Sequence, residues 1–157
     1  MKSVATLGDI AEVFSLFHDG SIVGWTGDND ILTLKIDCLY LAERLNADYE
    51  YFNLILYKIY RLEFDPWTDP SENNKHFKNS LGEIFEAELE ILYADVKDSS
   101  VEISFNQADP KYNYCGGNLY LACEAIKIFD QEMNEIKIDE LKSICNNYWE
   151  DWKIKNK

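Results

Sequence analysis

The sequence is short of basic residues. It contains 15 Lys and Arg against 29 Asp and Glu, which gives a formal net charge of −14 at pH 7. Proteins bind phosphate backbones through clusters of Lys and Arg, so this balance argues against a nucleic-acid ligand. Excess negative charge keeps a protein soluble and speeds its encounter with oppositely charged molecules. We therefore expect any macromolecular partner to be a basic protein.

Long apolar segments are also missing. No uninterrupted apolar run approaches the ~18 residues that a membrane span needs. The first residues, Met1 to Thr6, lack the apolar core of a signal peptide. We therefore expect a cytosolic protein that has no contact with a membrane.

The cysteines show no metal-binding or redox spacing. Cys38, Cys115, Cys123 and Cys145 are scattered and form neither a C-x-x-C pair nor the paired spacing of a zinc ribbon. Reduced thiols packed in the core are the favoured interpretation for a cytosolic chain. As an alternative, Cys115 and Cys123 could face each other across a hairpin.

Catalytic and cofactor motifs are absent as well. The glycines fit neither phosphate-loop pattern, and no nucleophile elbow, H-E-x-x-H helix or EF-hand loop is present. Adjacent His18 and Asp19 are typical of metal-dependent phosphohydrolases, but such sites need several more ligands, and the only other histidine is His76. We expect a non-enzymatic protein that uses no cofactor.

A structural role for the same segment is the favoured interpretation. A helix is predicted over residues 6–17, because Ile10, Val13, Phe14 and Phe17 form one apolar stripe. His18 and Asp19 would hydrogen-bond the backbone where this helix ends. Gly20 would close it in the left-handed conformation.

The remaining sequence is rich in apolar and aromatic residues. Hydrophobic residues make up 46% of the 157 residues and aromatics 14%, which excludes the disordered class and predicts one folded domain, 1–157. Period-2 alternation predicts strands over 21–26, 31–40, 51–64, 85–93, 101–105 and 119–129. The long 51–64 strand is predicted to be covered on both faces. An apolar stripe predicts a longer C-terminal helix with Asp139 as its N-cap.

These elements define the expected fold. It is an α+β domain with a mainly antiparallel sheet of about six strands, a short N-terminal helix and a longer C-terminal helix. Two loops interrupt the strands, one over residues 65–74 and one over residues 106–118, and both contain proline.

Three glutamates form the most conspicuous charged pattern. Glu86, Glu88 and Glu90 alternate with apolar residues, so they are expected on one strand face, roughly 13 Å from end to end. A solvated sheet face is the simplest interpretation, and a docking surface for a basic partner is the next. A third possibility is a metal-assisted hydrolase that combines the glutamates with Asp19.

Aromatic residues in the two loops form a second candidate surface. Trp67 in the first loop, with Tyr112 and Tyr114 in the second, could make an exposed cluster of the kind that anchors interfaces. Loop aromatics can equally fold back onto the core. Tyr148, Trp149 and Trp152 follow the stripe of the last helix and are expected in the core.

The segment Phe17-His18-Asp19-Gly20-Ser21-Ile22, with the alternating run from Ile31 to Ile36, resembles part of a known group. The group comprises small acidic bacterial proteins of uncharacterised families, some of which are immunity proteins of polymorphic toxin systems. The resemblance covers about the first third of the chain. It implies a non-enzymatic cytosolic protein that binds and neutralises a cognate toxin, and it transfers no catalytic residue. The acidic balance of the chain agrees with a toxin that is basic. A domain whose sheet curls into a half-barrel around a small molecule is the alternative function.

Overall fold

The computed structural model describes residues 6–68 and 77–156. The elements in these ranges are α1 (Leu7–Leu16), β1 (Ser21–Gly27), β2 (Ile31–Asp37), α2 (Leu39–Leu45), β3 (Tyr51–Pro66), α3 (Leu81–Ile84), β4 (Leu89–Lys97), β5 (Ser100–Asn106), β6 (Gly116–Phe129), β7 (Glu135–Ile136) and α4 (Ile138–Lys155). The predicted α+β fold with a mainly antiparallel sheet and a helix towards each end is confirmed. His76 and part of the predicted 65–74 loop lie outside the described residues.

The sheet closes on itself. Its strand order is β3-β2-β1-β4-β5-β6-β7, and β3 also pairs with β6, so six antiparallel strands form a ring. The ring is held least firmly between β1 and β4, which share only the pairs Ser21↔Glu90 and Ile22↔Leu89. It is held most firmly between β3 and β6, which pair from Asn53↔Phe129 to Pro66↔Gly117.

The core lies inside this ring and beneath α1. Alternate residues of the strands point inward, as in Leu32, Leu34 and Ile36 of β2, and these three side chains are fully buried. The apolar stripe of α1 joins the same buried cluster through Ile10 and Phe14. Burial of this apolar surface is the main favourable contribution to folding.

Helix α1 also covers a free strand edge. The hydroxyl of Ser15 donates to the carbonyl of Ala94 at 2.9 Å and accepts from the Ala94 N–H at 3.1 Å. Nearer the start of β4, the Asp19 N–H donates to the Ile91 carbonyl, and the Ile91 N–H donates to the Gly20 carbonyl, each at 2.8 Å. The edge of β4 that β1 leaves unpaired is therefore hydrogen-bonded by the end of α1 and the residues after it.

The exit from α1 differs from the prediction at one residue. Asp19, and not Gly20, adopts the left-handed conformation, with φ of 68°. Aspartate tolerates this region because its short side chain can hydrogen-bond locally. Gly20 is needed for space, since a Cβ there would lie 2.9 Å from the Phe17 carbonyl oxygen and 3.1 Å from the Cys38 Cβ.

Strand β3 also differs from the prediction. Its register with β6 shifts between Ile59 and Arg61, and Lys58 has φ of 52°. This bulge turns Tyr60 outward, where it is 67% exposed, although strict alternation from the buried Phe52 and Leu54 would place it on their face. The outer face of β3 is only half-buried or exposed, so the prediction of a strand covered on both faces is wrong.

The last helix begins two residues earlier than predicted. Lys137 is the N-cap of α4 and Asp139 lies in the first turn, where the carboxylate of Glu140 accepts from the Lys137 N–H at 3.4 Å. Leu141 and Cys145 of the stripe are buried, but Trp152 is 47% exposed, so the helix leaves the core before its end. No helix in the described ranges combines the length and the apolar character that crossing a membrane requires.

Candidate functional site

Four carboxylates line an open groove at the start of β4. Glu86, Glu88, Glu90 and Asp109 surround a space of about 650 Å³, whose walls also include Ser21, Asn106, Gln107, Tyr112 and Cys115. The three glutamates and Tyr112 are among the binding residues predicted from the sequence. Asp109 comes from the loop after β5 and was not anticipated, because nothing in the local pattern ties that loop to β4.

The three glutamates do not all lie on a strand. Helix α3 ends at Ile84, Glu86 lies in the turn that follows, and β4 begins only at Leu89. The prediction of a strand from residue 85 is therefore wrong. The alternation itself is present, because Phe85, Ala87 and Leu89 are buried. The outward-facing glutamates are held in place by these neighbouring apolar anchors.

The opposite wall of the groove is a loop fixed by a buried glutamine. Gln107 is 6% exposed, and its amide nitrogen donates to the carbonyl of Tyr114 at 2.7 Å and to that of Asp109 at 3.1 Å. Its amide oxygen accepts from the Asp109 N–H. Across the groove, the Tyr112 hydroxyl donates to the Glu86 carbonyl at 3.0 Å. The loop is thus tied both to itself and to the glutamate wall.

An aromatic pocket adjoins the groove. It is a shallow, open depression of about 560 Å³, lined by Trp67, Pro110, Tyr112 and Tyr114, among other residues. The Trp67 N–H donates to the Gly116 carbonyl at 2.8 Å, and a Cβ at Gly116 would lie 2.8 Å from the indole ring. Glycine is therefore required beneath this ring, and the ring remains 37% exposed.

The structure brings the three loop aromatics to one place but gives them different roles. Trp67 is partly exposed, Tyr112 is half-buried, and Tyr114 is buried with its ring 5.8 Å from that of Phe64. Burial, and after it the charge of Glu86, raises the pKa of Tyr114 to about 12. Its hydroxyl has no hydrogen-bond partner among the described residues.

Lys78 shows how a cation is held beside this site. Its ammonium lies 3.5 Å from the carboxylate of Glu86 and 5.5 Å from the centre of the Tyr114 ring. A carboxylate and an aromatic face together hold a positive charge well. Within residues 6–68 and 77–156, Glu88, Glu90 and Asp109 make no ion pair.

A second, smaller acidic groove continues from the first. It encloses about 370 Å³, and Asp19, Asp37 and Glu43 line it together with Ser21, which lines both grooves. No described residue forms an ion pair with these three carboxylates either. We call the two grooves together the acidic face.

His18 lies beside the acidic face in an aromatic cluster. Its ring stacks on Trp149 with the centroids 5.5 Å apart. Its Nδ1 donates to the Ser15 carbonyl at 3.0 Å, because a carbonyl oxygen can only accept. The Tyr40 hydroxyl donates to the His18 carbonyl at 2.6 Å. These bonds place His18 and its neighbours at the exit of α1.

The cysteines are all free in the structure. Cys38, Cys123 and Cys145 are buried and Cys115 is exposed in the groove wall, so Cys115 and Cys123 do not pair. Burial raises the pKa of the Cys38 thiol to about 12 and that of Cys123 to about 11. In the described part of the chain, no group of three His, Cys, Asp or Glu side chains is placed to hold a metal.

Comparison with known proteins gives no match. No protein-family model, no curated protein and no solved structure matches this chain. Function must therefore be argued from the chemistry of the acidic face and the aromatic pocket.

Proposed function

We propose that this is a non-enzymatic, cytosolic interaction protein that binds a basic protein through its acidic face. The toxin-neutralising role implied by the sequence resemblance is the form of this activity that we favour. One observation carries the proposal: seven carboxylates line two contiguous grooves, and among the described residues only Glu86 is neutralised by a cation.

The arrangement of charge supports a protein partner over a catalytic use. Unpaired carboxylates that share one face produce a field that steers a basic protein during encounter and excludes acidic competitors. Catalytic carboxylates are usually buried and carry shifted pKa values. Glu86, Glu88 and Asp109 are exposed, so they remain available to a partner.

The test is affinity capture from the source organism with matched charge variants. The tagged protein should retain a basic protein that is released as salt rises. Glu88→Lys/Glu90→Lys should slow association with that protein about tenfold, because charge at an interface acts mainly on the association rate. Glu124→Lys/Glu150→Lys is the control, since it makes the same change in net charge at exposed sites outside the grooves.

Two results would contradict the proposal. Equal slowing by both double variants would mean that net charge, and not the acidic face, governs binding. If the tagged protein retained no basic protein at low or moderate salt, the small-molecule alternative would be favoured. A ligand thermal-shift screen would then test that alternative.

A further inference from the structure

The acidic groove and the aromatic pocket share one wall. The shared residues are Gln107, Ala108, Asp109, Tyr112 and Cys115. A chain lying along the groove would therefore pass from a strongly acidic surface directly onto an aromatic one. A partner that bound only the acidic groove would leave the adjoining aromatic surface exposed, and the reverse also holds.

We infer that this composite groove takes an extended segment of the basic partner, with arginine side chains on Glu88, Glu90 and Asp109 and an apolar side chain on Trp67. The inference rests on the proposed function and specifies how the partner is recognised.

The spacing of the acids suits an extended chain. Glu88 directly precedes β4 and Glu90 is the second residue of the strand. Because the buried Ala87 and Leu89 alternate with them, both glutamates face the groove, roughly 7 Å apart for an extended chain. Alternate side chains of an extended peptide have the same repeat. Two arginines separated by one residue can therefore each meet a different carboxylate.

The chemistry favours arginine over lysine. Guanidinium groups bind carboxylates through two parallel hydrogen bonds and also stack on aromatic rings, whereas an ammonium acts as a point charge. Within this chain, the ammonium of Lys78 already lies against both the Glu86 carboxylate and the ring of Tyr114. Arginine from a partner would extend the same arrangement along the groove to Glu88 and Asp109.

The site is organised before binding. Gln107 fixes the loop, the Tyr112 hydroxyl ties it to Glu86, and the indole of Trp67 is seated on Gly116. A groove that needs little ordering loses little conformational entropy on association. Partly exposed Trp and Tyr in such a setting are typical of the residues that dominate binding energy.

The test uses defined peptides. A fluorescein-labelled peptide with alternating Arg and Gly and a terminal Leu is compared with one carrying Ala for Leu and one carrying Gln for every Arg. A further peptide with Leu at the opposite end covers the reverse orientation. Fluorescence anisotropy measures each dissociation constant against the protein and its variants.

Trp67→Ala should weaken binding of a Leu peptide about tenfold and leave the Ala peptide unchanged, as expected for a direct contact. Trp152→Ala is the matched control, because it removes an exposed tryptophan on α4 and should change nothing. Glu88→Gln/Glu90→Gln should weaken the binding of every Arg peptide and leave the already weak binding of the Gln peptide unchanged.

A measurement on the unaltered protein guards against misfolding of Trp67→Ala. Cys115 lines both cavities and is the one exposed cysteine of the four, so saturating Arg-Leu peptide should slow its alkylation about tenfold. An unchanged alkylation rate at saturation would overturn the inference.

The outcomes separate the inference from the proposed function. Suppose that Glu88→Gln/Glu90→Gln weakens binding of the Arg peptides, but Trp67→Ala weakens binding of the Leu peptide no more than Trp152→Ala does. The aromatic contact is then refuted, and the acidic face remains the binding surface. If the glutamate variants have no effect on any Arg peptide, the inference and the proposed function both fail.

Discussion

Alkaline pH should destabilise the protein through its buried thiols, most of all those of Cys38 and Cys123. Burial raises the pKa of Cys38 from 9.0 to about 12 and that of Cys123 from 9.0 to about 11. Both thiols therefore stay protonated in the folded protein over a range in which they ionise in the unfolded chain. Their full contribution to stability is present below about pH 9, and it is lost as pH rises toward the folded values.

The size of the effect follows from proton linkage. Each thiol should remove about 1 kcal/mol from the free energy of unfolding between pH 9 and pH 10, and the two together about 2 kcal/mol. Urea unfolding at closely spaced pH values measures this slope. Cys38→Ala/Cys123→Ala should show a correspondingly shallower slope, whatever its absolute stability.

A core variant without a titrating group separates ionisation from packing. Ile126→Val removes one buried methyl group and should lower stability at all pH values while keeping the slope of the unaltered protein. If the double cysteine variant kept the original slope between pH 9 and pH 10, the two thiols would not be held protonated by burial, and the reasoning would be refuted.

Substitutions at three positions test the features that close the sheet, each by denaturant unfolding. Ser15→Ala leaves the N–H and carbonyl of Ala94 without their partner and should cost about 2 kcal/mol; a loss below about 0.5 kcal/mol would mean that water replaces the hydroxyl. Asp19→Ala should cost about 1 kcal/mol and Asp19→Gly close to nothing, because φ is 68°; equal losses would argue against backbone strain. Gly117→Ala should cost about 1–3 kcal/mol, since its Cβ would lie 2.5 Å from the Phe64 ring, and an unchanged midpoint would contradict this packing.

The local pattern of the sequence was sufficient for most elements. Alternation in Leu32, Leu34 and Ile36 predicted β2, and the stripe through Ile10 and Phe14 predicted α1, because each periodicity is set by neighbouring residues. The bulge between Ile59 and Arg61 could not be predicted in this way. It interrupts the period in the middle of a strand, and nothing in the apolar pattern marks the interruption.

Helix α3 had a signal that the alternation concealed. Ser80 and Glu83 have the spacing of a capping box, and the Ser80 hydroxyl oxygen accepts from the Glu83 N–H at 3.3 Å. This spacing predicts that a helix starts after Ser80, whereas the alternation predicted a strand from residue 85. A helix that starts here places Glu86 after the helix and before the strand.

The candidate site was predictable only in part. Glu86, Glu88 and Glu90 stand out because they alternate with apolar residues, and Trp67 and Tyr112 stand out as aromatics in loops. That these two sets share a wall depends on the ring of strands and on the bonds of Gln107. Both depend on contacts between distant parts of the chain, which composition and periodicity do not encode.

Closure of the ring through β3 and β6 also has a consequence for how the protein is made. Pro66 pairs with Gly117 and Asn53 with Phe129, so every pair in this ladder joins positions at least about fifty residues apart. During synthesis β3 must wait for β6 before its long edge is filled, and non-local pairing of this kind makes folding slow. Until then one edge of the sixteen-residue strand β3 stays unpaired in the nascent chain. We expect its yield in cells to depend on chaperones more than its final stability would suggest.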